Sequence, residues 1–136
     1  MNDVQNIEDV SALLSARGYV GDDDIATALF LALRLHRPLL IEGHAGVGKT
    51  EIAKVLAGAL DTDLIRLQCY EGLDASAALY EWNYAKQILR IRLDEQSEHN
   101  AQATEAAIFD ETYLLERPLL RALRGTRSPV LLIDEI

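Results

Sequence analysis

One cysteine, one tryptophan, one methionine and three prolines are all that the 136 residues hold of those types. The lone thiol, Cys69, excludes an internal disulfide and fits a reducing compartment. It stands at the end of an expected strand, which suits a small packed residue better than a nucleophile. Basic side chains are also scarce. Thirteen Lys and Arg face 22 Asp and Glu, for a net charge of -9. That balance speaks against nucleic acid as the main partner, because phosphate backbones call for basic patches. No apolar run is long enough to cross a membrane, and the first residues are acidic and polar. Neither a spanning segment nor a signal peptide is expected, and the cytoplasm is the expected compartment. What remains is an ordinary globular composition, 49% hydrophobic and 26% charged, with room for one domain and a real core.

The feature that organises the chain is Gly43-His44-Ala45-Gly46-Val47-Gly48-Lys49-Thr50, a complete Gly-x-x-x-x-Gly-Lys-Thr phosphate loop. The apolar stretch Pro38-Leu39-Leu40-Ile41-Glu42 before it predicts a strand. After it, Ile52, Val55, Leu56, Ala59 and Leu60 fall at helical spacing on one face. Glycines let successive N–H groups turn inward on one anion, and the following helix adds the positive end of its dipole. Lys49 can reach the β- and γ-phosphates of a nucleotide, and the Thr50 hydroxyl can ligate the magnesium they carry. Gly43 through Glu51 is therefore the candidate nucleotide-binding stretch.

Elsewhere the pattern is that of alternating helices and strands. Ile7, Val10, Leu13 and Leu14 predict a helix over residues 6–17 ended by Gly18. A linker at Tyr19-Val20-Gly21 follows, then a helix through Ile25, Leu29 and Leu33. Asp22-Asp23-Asp24 would cap that helix rather than hold a metal, since the trio lacks the further oxygen ligands of a calcium loop. Leu64 to Tyr70 alternates as a second strand, and Asp74 can cap a short helix from Ala75 to Trp82. Leu89, Ile91 and Leu93 alternate with Arg90 and Arg92, which suggests a strand; a helix continuing from Trp82 is the rival. Residues 94–104 lack a pattern and read as a mobile loop. A last helix is expected from Glu116 to Arg124, with Pro118 in its first turn.

The final run, Pro129-Val130-Leu131-Leu132-Ile133-Asp134-Glu135-Ile136, suits a buried parallel strand whose terminal acids lie where ligands bind in open α/β sheets. Four aliphatics followed by Asp-Glu, downstream of a phosphate loop, make a Walker B strand. Asp134 would serve the magnesium shell, and Glu135, with Lys49 the candidate catalytic group, would polarise the attacking water.

With both motifs in place the chain resembles the AAA+ ATPases, most closely the MoxR type. The resemblance rests on Arg37 to Gly43 running into Ala45 to Thr50, on Arg66-Leu67-Gln68-Cys69, and on Leu131 to Glu135. Tyr80-Glu81-Trp82-Asn83-Tyr84-Ala85-Lys86 is similar to a subgroup found beside carbon monoxide dehydrogenase maturation genes. The resemblance implies an α/β P-loop NTPase fold of three αβα layers with a parallel, incomplete sheet. It implies ATP and Mg2+ as cofactors, a hexameric ring in which a neighbour supplies an arginine, and a client protein, a metalloenzyme being one candidate. It also implies a hairpin carrying Arg90 and Arg92 toward a partner, against the plain reading of a solvated basic face, and an adenine contact at Tyr19-Val20. Sensor one, the arginine finger and the helical lid would all lie beyond Ile136. Residues 1–136 then correspond to the N-terminal portion of an AAA+ domain, cut just after Walker B. The strands of Leu39–Ile41 and Val130–Ile133 are then expected either to pair directly or to leave a gap. A nucleotide-gated scaffold without hydrolysis and a small-molecule kinase stay open as rival functions.

Overall fold

The computed structural model describes residues 4–44, 46–95 and 107–136. Three helices open the chain, and each begins where a particular residue supplies a cap. Helix α1, Ile7–Ala16, starts at a reciprocal capping box, in which Asn6 accepts the Asp9 N–H and Asp9 accepts that of Asn6. Helix α2, Asp23–Leu35, starts at Asp22, whose side chain accepts the Ile25 N–H at 3.1 Å. It ends on His36 in the left-handed conformation. The first acid of the triplet is thus spent on the helix end. Helix α3, Lys49–Ala59, follows the phosphate loop.

These helices build the core. Val10 and Leu14 from α1, Ala26 and Leu29 from α2, and Ile52 and Val55 from α3 form one buried cluster. Tyr19, Phe30, Ile41 and Leu56 pack against it. Tyr19 therefore serves the core, whereas its neighbour Val20 is 97% exposed.

Strand β1, Leu64–Gln68, pairs in parallel with β4, Val130–Asp134, in the register Leu64↔Val130 through Gln68↔Asp134. Backbone bonds continue the ladder at both ends, from Val130 N–H to Asp63 O at 2.9 Å and from Cys69 N–H to Asp134 O at 2.8 Å. Between them lie α4, Ala75–Leu79, the strand β2, Tyr80–Trp82, helix α5, Tyr84–Glu95, a 3-10 turn at Glu111–Tyr113, strand β3, Leu114–Glu116, and helix α6, Pro118–Arg124. β2 and β3 form a small antiparallel pair. Helix α3 packs on β4 and β1, and α6 packs on β1. The result is an α/β core around a short parallel sheet.

Four expectations need correction. The helix capped by Asp74 ends at Leu79, because Tyr80 to Trp82 leaves to pair with Leu114 to Glu116. For the same reason the last helix begins at Pro118, and Glu116 belongs to β3. The Leu89-Ile91-Leu93 segment is helical. Asn83 Oδ1 accepts the Lys86 N–H as a cap, and Arg90 pairs with Asp94 at 3.0 Å one turn on. Leu89 and Leu93 are exposed, so their alternation marks no buried strand face. The same helix takes in the start of the expected loop, of which residues 96–104 lie outside the described residues. Finally, residues 38–42 form no strand. Direct pairing of this segment with Val130–Ile133 does not occur among the described residues, and Leu40 stays 70% exposed.

Asp110, capping the 3-10 turn, is held below the usual carboxylate range by the Thr112 N–H and hydroxyl, and so is the α4 cap Asp74. At Asp74 the Ala77 N–H acts first, then the Ser76 hydroxyl. Because the side chains of α1 and α2 close on α3, truncating Leu14 to alanine is expected to lower stability by about 2–5 kcal/mol, read from urea denaturation.

Candidate functional site

The loop owes its shape to two glycines. Gly46 and Gly48 have φ of 84° and 87°, and a Cβ built on either would meet nothing within 4 Å. Backbone conformation, not space, demands glycine at both positions. Gly48 is the N-cap of α3, so Lys49, Thr50 and Glu51 form its first turn; the Glu51 N–H donates to the Gly48 carbonyl at 3.0 Å, while those of Lys49 and Thr50 precede the first intrahelical bond. At Gly43 a Cβ would stand 3.1 Å from Val47 Cγ2, so the exposed Val47 side chain would have to shift by a few tenths of an ångström. Ala45 lies outside the described residues.

Lys49 folds back over the loop it follows. Its Nζ donates to the Gly43 carbonyl and, at 2.9 Å, to that of His44. Val47 is exposed at the rim. The Glu51 side chain pairs with Lys54 at 2.9 Å, leaving its main chain as its contribution to the loop. One ammonium group thus ties the start of the loop to the helix that follows it.

The parallel ladder brings the acid pair to the same place. Asp134 ends β4, and its Oδ2 lies 3.5 Å from Thr50 Oγ1, at the far limit of a hydrogen bond. Residues 84 positions apart in sequence therefore meet at one point. Glu135, with φ of 57°, turns its carboxylate onto Gln68, whose Nε2 donates to Oε2 at 2.5 Å. Arg66 Nη2 reaches Asp134 Oδ2 at 2.6 Å. Arg66 and Gln68 were not among the site residues expected from sequence. Their signal was nevertheless present: Ile65 and Leu67 are the buried face of β1, so Arg66 and Gln68 share the other.

The donor set fits a magnesium nucleotide. A hydroxyl and a carboxylate are hard oxygen ligands, and Mg2+ characteristically takes only one or two from protein, the rest from phosphate and water. No group of three or more His, Cys, Asp or Glu gathers as a metal site among the described residues. A cleft of 290 Å³, lined by Asp63, Arg121, Arg124 and Arg127 among others, opens at the amino ends of β1 and β4, opposite the acids. There Arg124 is already held by Glu111 at 2.8 Å and Glu116 at 3.3 Å.

Strand order, loop and acids together define an α/β core of the P-loop nucleotide-binding class. Residues 38–136 match the model of the AAA domain, dynein-related subfamily, and the chain belongs to that family. It is also 28% identical over 122 residues to an uncharacterized protein of Staphylococcus haemolyticus. That match takes in 87% of this chain, and the chain spans 38% of the relative's length. No solved structure matches. No helix among the described residues is long and apolar enough to cross a membrane.

Replacing Gly48 by alanine is expected to cost about 1–2 kcal/mol in urea denaturation, since an L-residue must adopt the left-handed region there. The same replacement should weaken binding of nucleotide, measured by fluorescence titration.

Proposed function

We propose that this chain binds the triphosphate of ATP and is the nucleotide-binding part of a MoxR-type AAA+ ATPase. The observation that carries the reading is the approach of Thr50 Oγ1 to Asp134 Oδ2 at 3.5 Å, one residue from the amine that crosses the loop. On this reading the amides of Gly43 to Glu51 and the ammonium of Lys49 hold the β- and γ-phosphates. Thr50 and Asp134 hold Mg2+, which supplies neutralisation of phosphate charge when bound. Glu135 accepts a hydrogen bond from the attacking water and polarises it, acting with Lys49 as the catalytic pair. Gln68 Nε2 donates to the Glu135 carboxylate and so restrains it. Val20 offers the adenine ring an exposed apolar side chain, with Tyr19, packed on the core, fixing the linker beside it.

In the whole protein the energy of hydrolysis drives remodelling of a client, with a metalloenzyme under assembly as the candidate. Six copies form a ring in the cytoplasm, each completed by an arginine from its neighbour. This assignment is favoured over a kinase because the acid after the apolar strand suits an activated water better than an acceptor hydroxyl.

Lys49→Ala is expected to lower affinity for a fluorescent ATP analogue by about tenfold to a hundredfold, the range for losing a charged hydrogen bond. Unchanged affinity would contradict the assignment. In the ring-forming protein, Glu135→Gln is expected to keep nucleotide binding while phosphate release falls by about 10²–10⁴. Phosphate release at the parent rate would remove Glu135 from the mechanism.

A further inference from the structure

Asp134 Oδ2 has two neighbours of opposite consequence. Thr50 Oγ1, at 3.5 Å, is a neutral partner that a metal ion could share with the carboxylate. Arg66 Nη2, at 2.6 Å, is a full positive charge on the same oxygen. The two side chains of the ion pair differ in setting, since Arg66 is 51% exposed and Asp134 only 18%. A guanidinium so placed can move into water at small cost, while the carboxylate stays where the strand fixes it. Half-exposed pairs of this kind add little to stability, so holding the fold together does not account for it. The effect of Arg66 falls instead on what else can approach Asp134.

We propose that Arg66 is a charge gate on Asp134. Its guanidinium occupies the carboxylate oxygen that a divalent cation at Thr50 and Asp134 would use, and it withdraws to solvent when the cation arrives with a nucleotide. The inference rests on the reading of Thr50 and Asp134 as the magnesium residues. The physics is a competition of two cations for one carboxylate in a partly buried position, where salt screens weakly. With Arg66 in place, Asp134 is never an unpaired charge, and metal alone is held poorly. A cation bridging to phosphate displaces the guanidinium because it brings further ligands with it. The exchange breaks no covalent bond. Arg66 acts through Asp134, as a positioning residue and not a catalytic one.

The test compares the affinity of the full chain for a fluorescent ATP analogue in Mg2+ with that in EDTA. The ratio of the two reports how well the metal is received, independently of turnover. In Arg66→Met the ratio is expected to rise about fivefold, the upper end for an exposed ion pair. Arg66→Lys, which keeps the charge, should stay near the parent value, and circular dichroism melts establish that each variant is folded. Asp134→Asn should bring the ratio toward one. A ratio that is unchanged or lower in Arg66→Met overturns the gate. So does a large loss of affinity in EDTA, which would make Arg66 a phosphate ligand. If Asp134→Asn removes the metal dependence and Arg66→Met does not move it, the gate alone fails. If the parent chain binds no analogue, the nucleotide reading fails and the gate with it.

Discussion

Parallel pairing of Leu64–Gln68 with Val130–Asp134 is the constraint from which the site follows. Five residues in register set Gln68 opposite Asp134, and the ladder is fastened beyond both ends by Val130 and Cys69. Slipping the register by one residue would turn Asp134 to the other face and part it from Thr50. The acid pair, Arg66 and Gln68 are thus positioned by one set of backbone bonds. Their side chains then complete each other's hydrogen bonding, cation to Asp134 and amide to Glu135.

The second half of the site is placed by the core. Ile52 and Val55 are buried in the cluster with Val10, Leu14, Ala26 and Leu29. These two side chains sit on α3 within two turns of Lys49, so the cluster fixes where that helix begins and which way its first turn points. Thr50 is carried by the same turn. Packing of α3 on β4 and β1 then joins the two halves and brings hydroxyl and carboxylate together. A core mutation far from any polar group can consequently alter the loop without touching it.

Much of this was legible in the chain, and the limits have physical causes. The phosphate loop, its helix and the acid-ended strand announce themselves because each needs particular residues at fixed spacing. The caps at Asp22 and Asp74 were equally readable, being local contests for a few N–H groups. Non-local pairing was not. Nothing in Tyr80 to Trp82 says that it will meet Leu114 to Glu116, so the helix ahead was drawn too long and the one behind too early. The Leu89-Ile91-Leu93 alternation misled because it assumed a buried face, whereas Leu89 and Leu93 remain exposed and the cap at Asn83 decides the outcome. At the site, Arg66 and Gln68 were visible only as the polar face of their strand, not as partners of the acid pair.

The segment that leads into the loop shows how the loop is held without a sheet of its own. A strand needs an edge to bond to, and residues 38–42 have none among the described residues. Leu39 and Leu40 stay exposed. Only Ile41 reaches the core cluster, so one side chain moors the approach. The remaining tie is electrostatic, since Lys49 Nζ clasps the carbonyls of Gly43 and His44 from the far side of the turn. The ammonium that the phosphate reading assigns to a ligand is therefore also the group that closes the loop on itself. Whatever anion it serves must compete with two carbonyls, which have no negative charge to match that of phosphate.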